Sequence, residues 1–179
     1  MSGPSGDAMP PFNGKLVAIA IASAAKEPMR SVDAVEALAG FGLVGDRYAE
    51  GRGAYQHVRR RVEQQVSLIA EEALDAANDQ LLLPFEHLDS RRNLLTRGVP
   101  LNDLVRRPFW IGDVLLRGLQ LCEPCGYLER MTQTGIKQIL QGRGGLRAEV
   151  LKSGTLHAGD AIRLATKGEV HQVLLDSSP

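Results

Sequence analysis

Cys122 and Cys125, in the segment Leu121-Cys122-Glu123-Pro124-Cys125, are the only thiols of the chain. Their two-residue spacing is shared by redox dithiols, in which the thiolate is the reactive form, and by zinc knuckles, which need a second pair of ligands. The four histidines, His57, His87, His157 and His171, stand singly through the chain and offer no such pair. A thioredoxin-type site needs its first cysteine opening a helix inside a β-α-β unit, whereas this pair ends a β-forming run, Val114 to Cys122. The plainer alternative is two buried cysteines packed as small hydrophobes. Pro124 argues against that for Cys125. It has no N–H to donate, ends the strand, and leaves Cys125 in a loop at the strand's mouth.

A second chemistry is written in arginines. Arg91-Arg92-Asn93 and Gly142-Arg143-Gly144-Gly145-Leu146-Arg147 combine planar guanidiniums, which grip phosphate or carboxylate bidentately, with glycines that let backbone N–H groups approach an anion. Singly, each reads as a turn with solvated arginines. Together they suggest a phosphate pocket built from Arg91, Arg92, Asn93, Arg143, Gly144, Gly145 and Arg147. Arg106-Arg107 reads as solvated surface.

Other motifs do not survive their context. Gly40-Phe41-Gly42-Leu43-Val44-Gly45 matches the dinucleotide fingerprint, but Asp46-Arg47-Tyr48-Ala49-Glu50-Gly51 is a poor helix opening and no β-α-β repeat surrounds it. A phosphate loop ending in Gly-Lys-Ser or Gly-Lys-Thr is absent. Lys15 to Ala24 imitates a signal peptide, yet it carries one lysine and an alanine-diluted run no longer than a buried strand, so it reads as a strand.

The elements that must position these residues are short. Nineteen glycines and nine prolines in 179 residues, against four Phe, three Tyr and one Trp, point to many turns and a β-rich fold of one domain. Residues 1–13 read as a mobile tail, and 14–179 as the folded domain. Strands are expected at Leu16 to Ala22, Val66 to Ile69, Asn93 to Thr96, Phe109 to Ile111, Val114 to Cys122, Leu146 to Leu151, Ala161 to Ala165 and Glu169 to Leu175. Residues 29 to 39 fit either a helix or a strand edge. An alanine-rich helix should run through Asn78, and a short one from Thr134 to Leu140. Gly112-Asp113 and Gly159-Asp160 read as hairpin turns rather than catalytic aspartates. The pattern is mainly β, a barrel or coiled sheet with a few short helices.

Lys plus Arg equals Asp plus Glu at 21 each, so no bulk field draws the chain onto nucleic acid or an anionic membrane, and few aromatics leave no stacking platform. No run has the length to cross a bilayer. Two cysteines are too few for a disulfide scaffold, which places the chain in a reducing cytoplasm.

The order of motifs is similar to that of the MOSC domain, the C-terminal domain of molybdenum cofactor sulfurases. Gly42-Leu43-Val44-Gly45-Asp46-Arg47, Gln65-Val66-Ser67-Leu68-Ile69 with Glu71-Glu72-Ala73-Leu74, and Arg91-Arg92-Asn93-Leu94-Leu95-Thr96-Arg97-Gly98 carry the first half of the resemblance. Phe109-Trp110-Ile111-Gly112-Asp113, Glu123-Pro124-Cys125, Gly142 to Ala148 and Gly159-Asp160 carry the second, so it spans roughly residues 14 to 165. The resemblance implies a MOSC-type β-barrel that binds the molybdenum cofactor, a pterin dithiolene with a phosphate, with Cys125 as metal ligand or sulfur carrier. A thiolate is a soft donor suited to such a centre and can also carry a persulfide. The arginines Arg91, Arg92, Arg143 and Arg147 would hold the cofactor's phosphate or a substrate anion. Many members have a His-Gly-Gly stretch before the Gln-Val-Ser-Leu strand; here only His57 matches it. The sequence contains neither the pyridoxal-phosphate desulfurase domain of the fused sulfurases nor the N-terminal extension of the larger reductases.

Three functions are implied. The first is a molybdenum-cofactor-dependent oxidoreductase reducing N-hydroxylated or related N–O compounds, fed by an external electron donor because no flavin, iron–sulfur or nicotinamide site is recognisable. The second is a sulfur carrier or cofactor-delivery module with a persulfide on Cys125, loaded by a cysteine desulfurase. The third is a dithiol redox protein using Cys122 and Cys125, with Cys122 otherwise packed in its strand.

Overall fold

The computed structural model describes residues 9–54 and 61–176. Its strands are β1 (Gly14–Ile21), β2 (Arg30–Val32), β3 (Ala34–Leu38), β4 (Gly42–Leu43), β5 (Val66–Ala70), β6 (Leu94–Arg97), β7 (Pro108–Ile111), β8 (Val114–Leu121), β9 (Leu146–Lys152), β10 (Gly154–His157) and β11 (Ala161–Leu164). The helices are short: α1 (Glu71–Asn78), α2 (His87–Ser90), α3 (Gly126–Met131), α4 (Ile136–Ile139) and α5 (Lys167–Asp176).

Seven strands close on themselves in the order β11-β7-β8-β9-β5-β6-β1, with β1 pairing back to β11 and β2 added on the edge of β1. This is the β-barrel expected from the sequence, and closure removes the exposed edges that an open sheet would leave. A second sheet of β10, β3 and β4 sits beside it. All barrel pairs are antiparallel except β5 and β6. A parallel pair needs a long crossover, and α1 with α2 supplies it between Ala70 and Leu94.

Burial explains why Val66 to Ile69 reads as an unbroken apolar run. Leu68 and Leu94 point into the barrel core with Leu16, Phe109, Leu116 and Leu146, while Ile69 and Leu95 point outward under α1, α3 and α4 against Leu74, Phe85, Leu128 and Ile136. Both faces of these strands are covered, so alternation disappears. Met9 and Phe12 also pack against the barrel core; residues 1–8 lie outside the described residues.

Residues 29 to 39 resolve as two strands, β2 and β3, and the apolar run from Lys15 is β1. Glu169 to Leu175 requires a correction, because the segment is helical within α5 rather than a strand. The cause is local. The Thr166 hydroxyl accepts from the Glu169 N–H at 3.2 Å, and the Glu169 carboxylate accepts from the Thr166 N–H at 2.7 Å, a reciprocal cap that starts a helix.

Candidate functional site

The site begins where α2 hands over to β6. Arg91 turns the chain in the left-handed region, φ 58°, so that Asn93 enters the barrel wall. Asn93 is buried and its amide is saturated. Its Oδ1 accepts from the Ser67 N–H at 3.1 Å and the Ser67 hydroxyl at 2.9 Å, and its Nδ2 donates to Ala20 O at 3.2 Å and Asp46 Oδ1 at 3.1 Å. One side chain thus joins β5, β1 and the loop after β4. Asp46 is fully buried as well, and accepts from the N–H groups of Ala22 and Tyr48 and from Arg47 Nη1. That set of donors is what allows a carboxylate to sit inside the protein.

Arg92 ties two loops together. It is 8% exposed, and its Nε donates to Gly144 O at 2.9 Å, its Nη2 to Cys122 O at 2.9 Å and its Nη1 to Ser90 O at 3.1 Å. The glycines of the 142–147 loop let the Cys122 loop and β5 approach its backbone closely. A Cβ on Gly144 would fall 2.6 Å from Cys122 O and 2.8 Å from Pro124 Cδ, and one on Gly145 would run into Leu68 O at a residue whose φ is +111°. Cys122 N–H donates to Gly145 O at 2.7 Å, and Glu123 accepts from the Gly142 N–H at 3.1 Å. The loop of Gly142 to Arg147 and the loop of Cys122 to Cys125 are therefore stitched back to back.

This stitching presents Cys125. Both cysteines are thiols; Cys122 is buried, whereas Cys125 is exposed and is the N-cap residue of α3. Cys125 lines a cavity of about 50 Å³ with Arg47, Arg91, Arg92, Arg147 and Tyr127 among its other walls. Arg91 spends Nη1 and Nη2 on the carbonyls of Glu27 and Ala25, Tyr127 Oη donates to Ala25 O at 2.7 Å, and Arg147 reaches Glu63 O at 3.3 Å. Burial, and after it the charge of Arg47, push the Arg91 pKa below the usual guanidinium range, against the pull of Tyr127, Tyr48 and Asp46. Burial is the larger cause, so the shift reflects a guanidinium held away from water.

The structure brings Arg91, Arg92 and Arg147 to Cys125. It does not bring Arg143, which is exposed and borders a separate cavity of about 240 Å³ with Asn102 and Gly145. Asn93 and Gly144 stand behind the wall, in the framework. His57 lies outside the described residues. The same cavity takes in Arg47, which the sequence offers only as the end of the Gly42 to Arg47 motif, and Tyr127, a lone tyrosine with no spacing signal. Among the described residues no three His, Cys, Asp or Glu side chains gather to hold a metal ion. A metal at this site would depend on the Cys125 thiolate and on ligands it brings with it.

The family model of the MOSC domain matches residues 46–163. The chain belongs to the MOSC domain family. Solved structures agree in fold: the MOSC chain matches the YuaD protein from Bacillus subtilis with a TM-score of 0.73 at 18% identity, covering 87% of this chain and 97% of that one. YiiM from Geobacillus stearothermophilus matches with 0.67 at 15% identity, covering 87% and 76% of the two chains. YiiM from Escherichia coli matches with 0.59 at 19% identity, covering 89% and 71%. No curated protein matches the chain. No helix among the described residues is long and apolar enough to cross a membrane.

Proposed function

We propose that this MOSC protein binds the molybdenum cofactor with Cys125 as metal ligand and acts as an oxidoreductase on N-hydroxylated or related N–O compounds. The observation that carries the proposal is the exposed Cys125 thiol on a cavity walled by four arginines. The donor set fits the group: a soft thiolate suits a thiophilic metal, and guanidiniums suit a phosphate. The enclosed space of about 50 Å³ holds a few waters or one small anionic group, so the pterin itself would lie outside it.

When bound, the cofactor would supply the redox-active metal. The chain would supply the rest. Cys125 holds the group at one atom, Arg147, Arg91 and Arg47 provide the positive field, and Arg92 keeps the Cys125 loop in place through Cys122 O and Gly144 O. An external electron donor completes the cycle. The test is reduction of benzamidoxime by cofactor-loaded protein with reduced methyl viologen as the electron source. Turnover lost in Cys125→Ser is expected; turnover equal in the variant and the parent contradicts the reading.

A second reading, a sulfur carrier loaded by a cysteine desulfurase, is favoured by the cavity's size, which admits a sulfur atom but not a pterin. Mass spectrometry after incubation with a desulfurase and cysteine separates the two. A sulfur-atom mass gain confined to Cys125, in protein that never retains pterin, selects the carrier.

A further inference from the structure

Helix α5 touches the barrel along one side and stands away from it along another. The anchored side holds Glu169, which receives Arg163 of β11 at 2.6 Å and 3.1 Å, and the buried Val173. Lys167, Val170, His171 and Leu174 fall at i, i+3, i+4 and i+7 on a different face of the helix. That face borders a groove of about 430 Å³ whose opposite wall includes Leu164 and Arg107.

Three properties make this groove more than a seam. Its volume falls within the range of small-molecule sites, and its accessible lining is chiefly apolar. Leu174 is 55% exposed although it faces a concave surface, so much of its apolar side chain remains in contact with water. Among the described residues the lining contains two cations, Arg107 and Lys167, and His171, but no carboxylate. An apolar trough bordered by one sign of charge complements a molecule with an apolar body and an anionic end. The groove shares no lining residue with the Cys125 cavity, and the MOSC match ends at Arg163, before α5 begins.

We propose that this groove is a second binding site, for a monomeric apolar carboxylate such as a medium-chain alkanoate. The chain packs on Leu164, Val170 and Leu174, which removes apolar surface from water. The carboxylate pairs with Lys167, which fixes its direction and rejects neutral or cationic analogues. The site is independent of the metal and of Cys125.

Isothermal titration of the full chain with sodium decanoate, kept below its micelle threshold, tests this. One decanoate should bind per chain, and decanol and decyltrimethylammonium should bind more weakly. Lys167→Glu should weaken decanoate binding roughly tenfold, and Leu174→Asp should abolish it. Both positions are exposed, and unchanged circular dichroism and Tm would confirm that the variants fold. Equal binding of decanol and decanoate, or affinity unchanged in either variant, overturns the proposal. So does failure to bind decanoate by a chain that binds phosphatidylglycerol vesicles, which would assign this face to a lipid surface.

Discussion

Arg92 donates from Nη2 to the carbonyl of Cys122 at 2.9 Å, three residues before the exposed thiol of Cys125. The same guanidinium holds Gly144 O and Ser90 O. It therefore sets where the Cys125 loop lies relative to the rest of the cavity.

Replacing Arg92 by lysine should be costly despite the retained charge. An ammonium cannot reproduce the planar fork, and buried carbonyls lose their donors. We expect Arg92→Lys to lower stability by about 3 kcal/mol in urea denaturation, the cost of leaving buried acceptors unsatisfied. A change below about 0.5 kcal/mol, the usual size for a surface substitution, would show that the three bonds do not hold the loops together.

Gly144→Ala should act on the Cys125 loop directly. Its Cβ would meet Cys122 O at 2.6 Å, so the two loops must part. The expected result is a destabilisation of about 2 kcal/mol, as for other overpacked interiors, with altered alkylation kinetics at Cys125. Gly168→Ala in α5, where no atom lies within 4 Å of the added methyl, serves as the control and should be neutral or slightly stabilising. Equal effects at the two glycines would contradict the account.

His87 gives the protein an acid limit. Burial drives its pKa from 6.5 down to about 4, against a smaller upward effect of a hydrogen bond with the Arg92 backbone, and its Nε2 is buried without a hydrogen-bond partner. The folded pKa is the lower one, so the unfolded chain takes up the proton first. Stability is intact above pH 6.5 and is lost as pH falls from there to about 4, by up to about 3 kcal/mol from this residue. Denaturation midpoints measured across pH 7 to 4 should fall less steeply in His87→Gln. Parallel pH profiles would sink the assignment.

Much of this was legible in the sequence, and what was not has a physical cause. Strand positions follow from local apolar runs, most of them beside a glycine, so β1, β5, β7, β8 and β9 are readable to within a residue or two. α5 was not, because Val170, Val173 and Leu174 suit either period and the Thr166–Glu169 cap decides between them. α2 and α3 are single-turn or little longer and leave no periodic signal. Arg91, Arg92 and Arg147 line one cavity with Cys125, but the fold also gives Arg91 and Arg92 backbone carbonyls to hold. The sequence could show that arginines and glycines cluster; only pairing of distant loops shows that Gly144 faces Cys122. Arg47 enters the cavity through Asp46 and Asn93, a relationship between residues 47 positions apart that no local pattern encodes.

The central claim, that Cys125 holds the molybdenum of a bound cofactor, is tested most directly by metal and pterin analysis of protein purified from a cofactor-competent host. Wild-type and Cys122→Ser protein should carry molybdenum and pterin in near-equal amounts, and Cys125→Ser should lose the metal while remaining folded. Molybdenum retained undiminished in Cys125→Ser would contradict it.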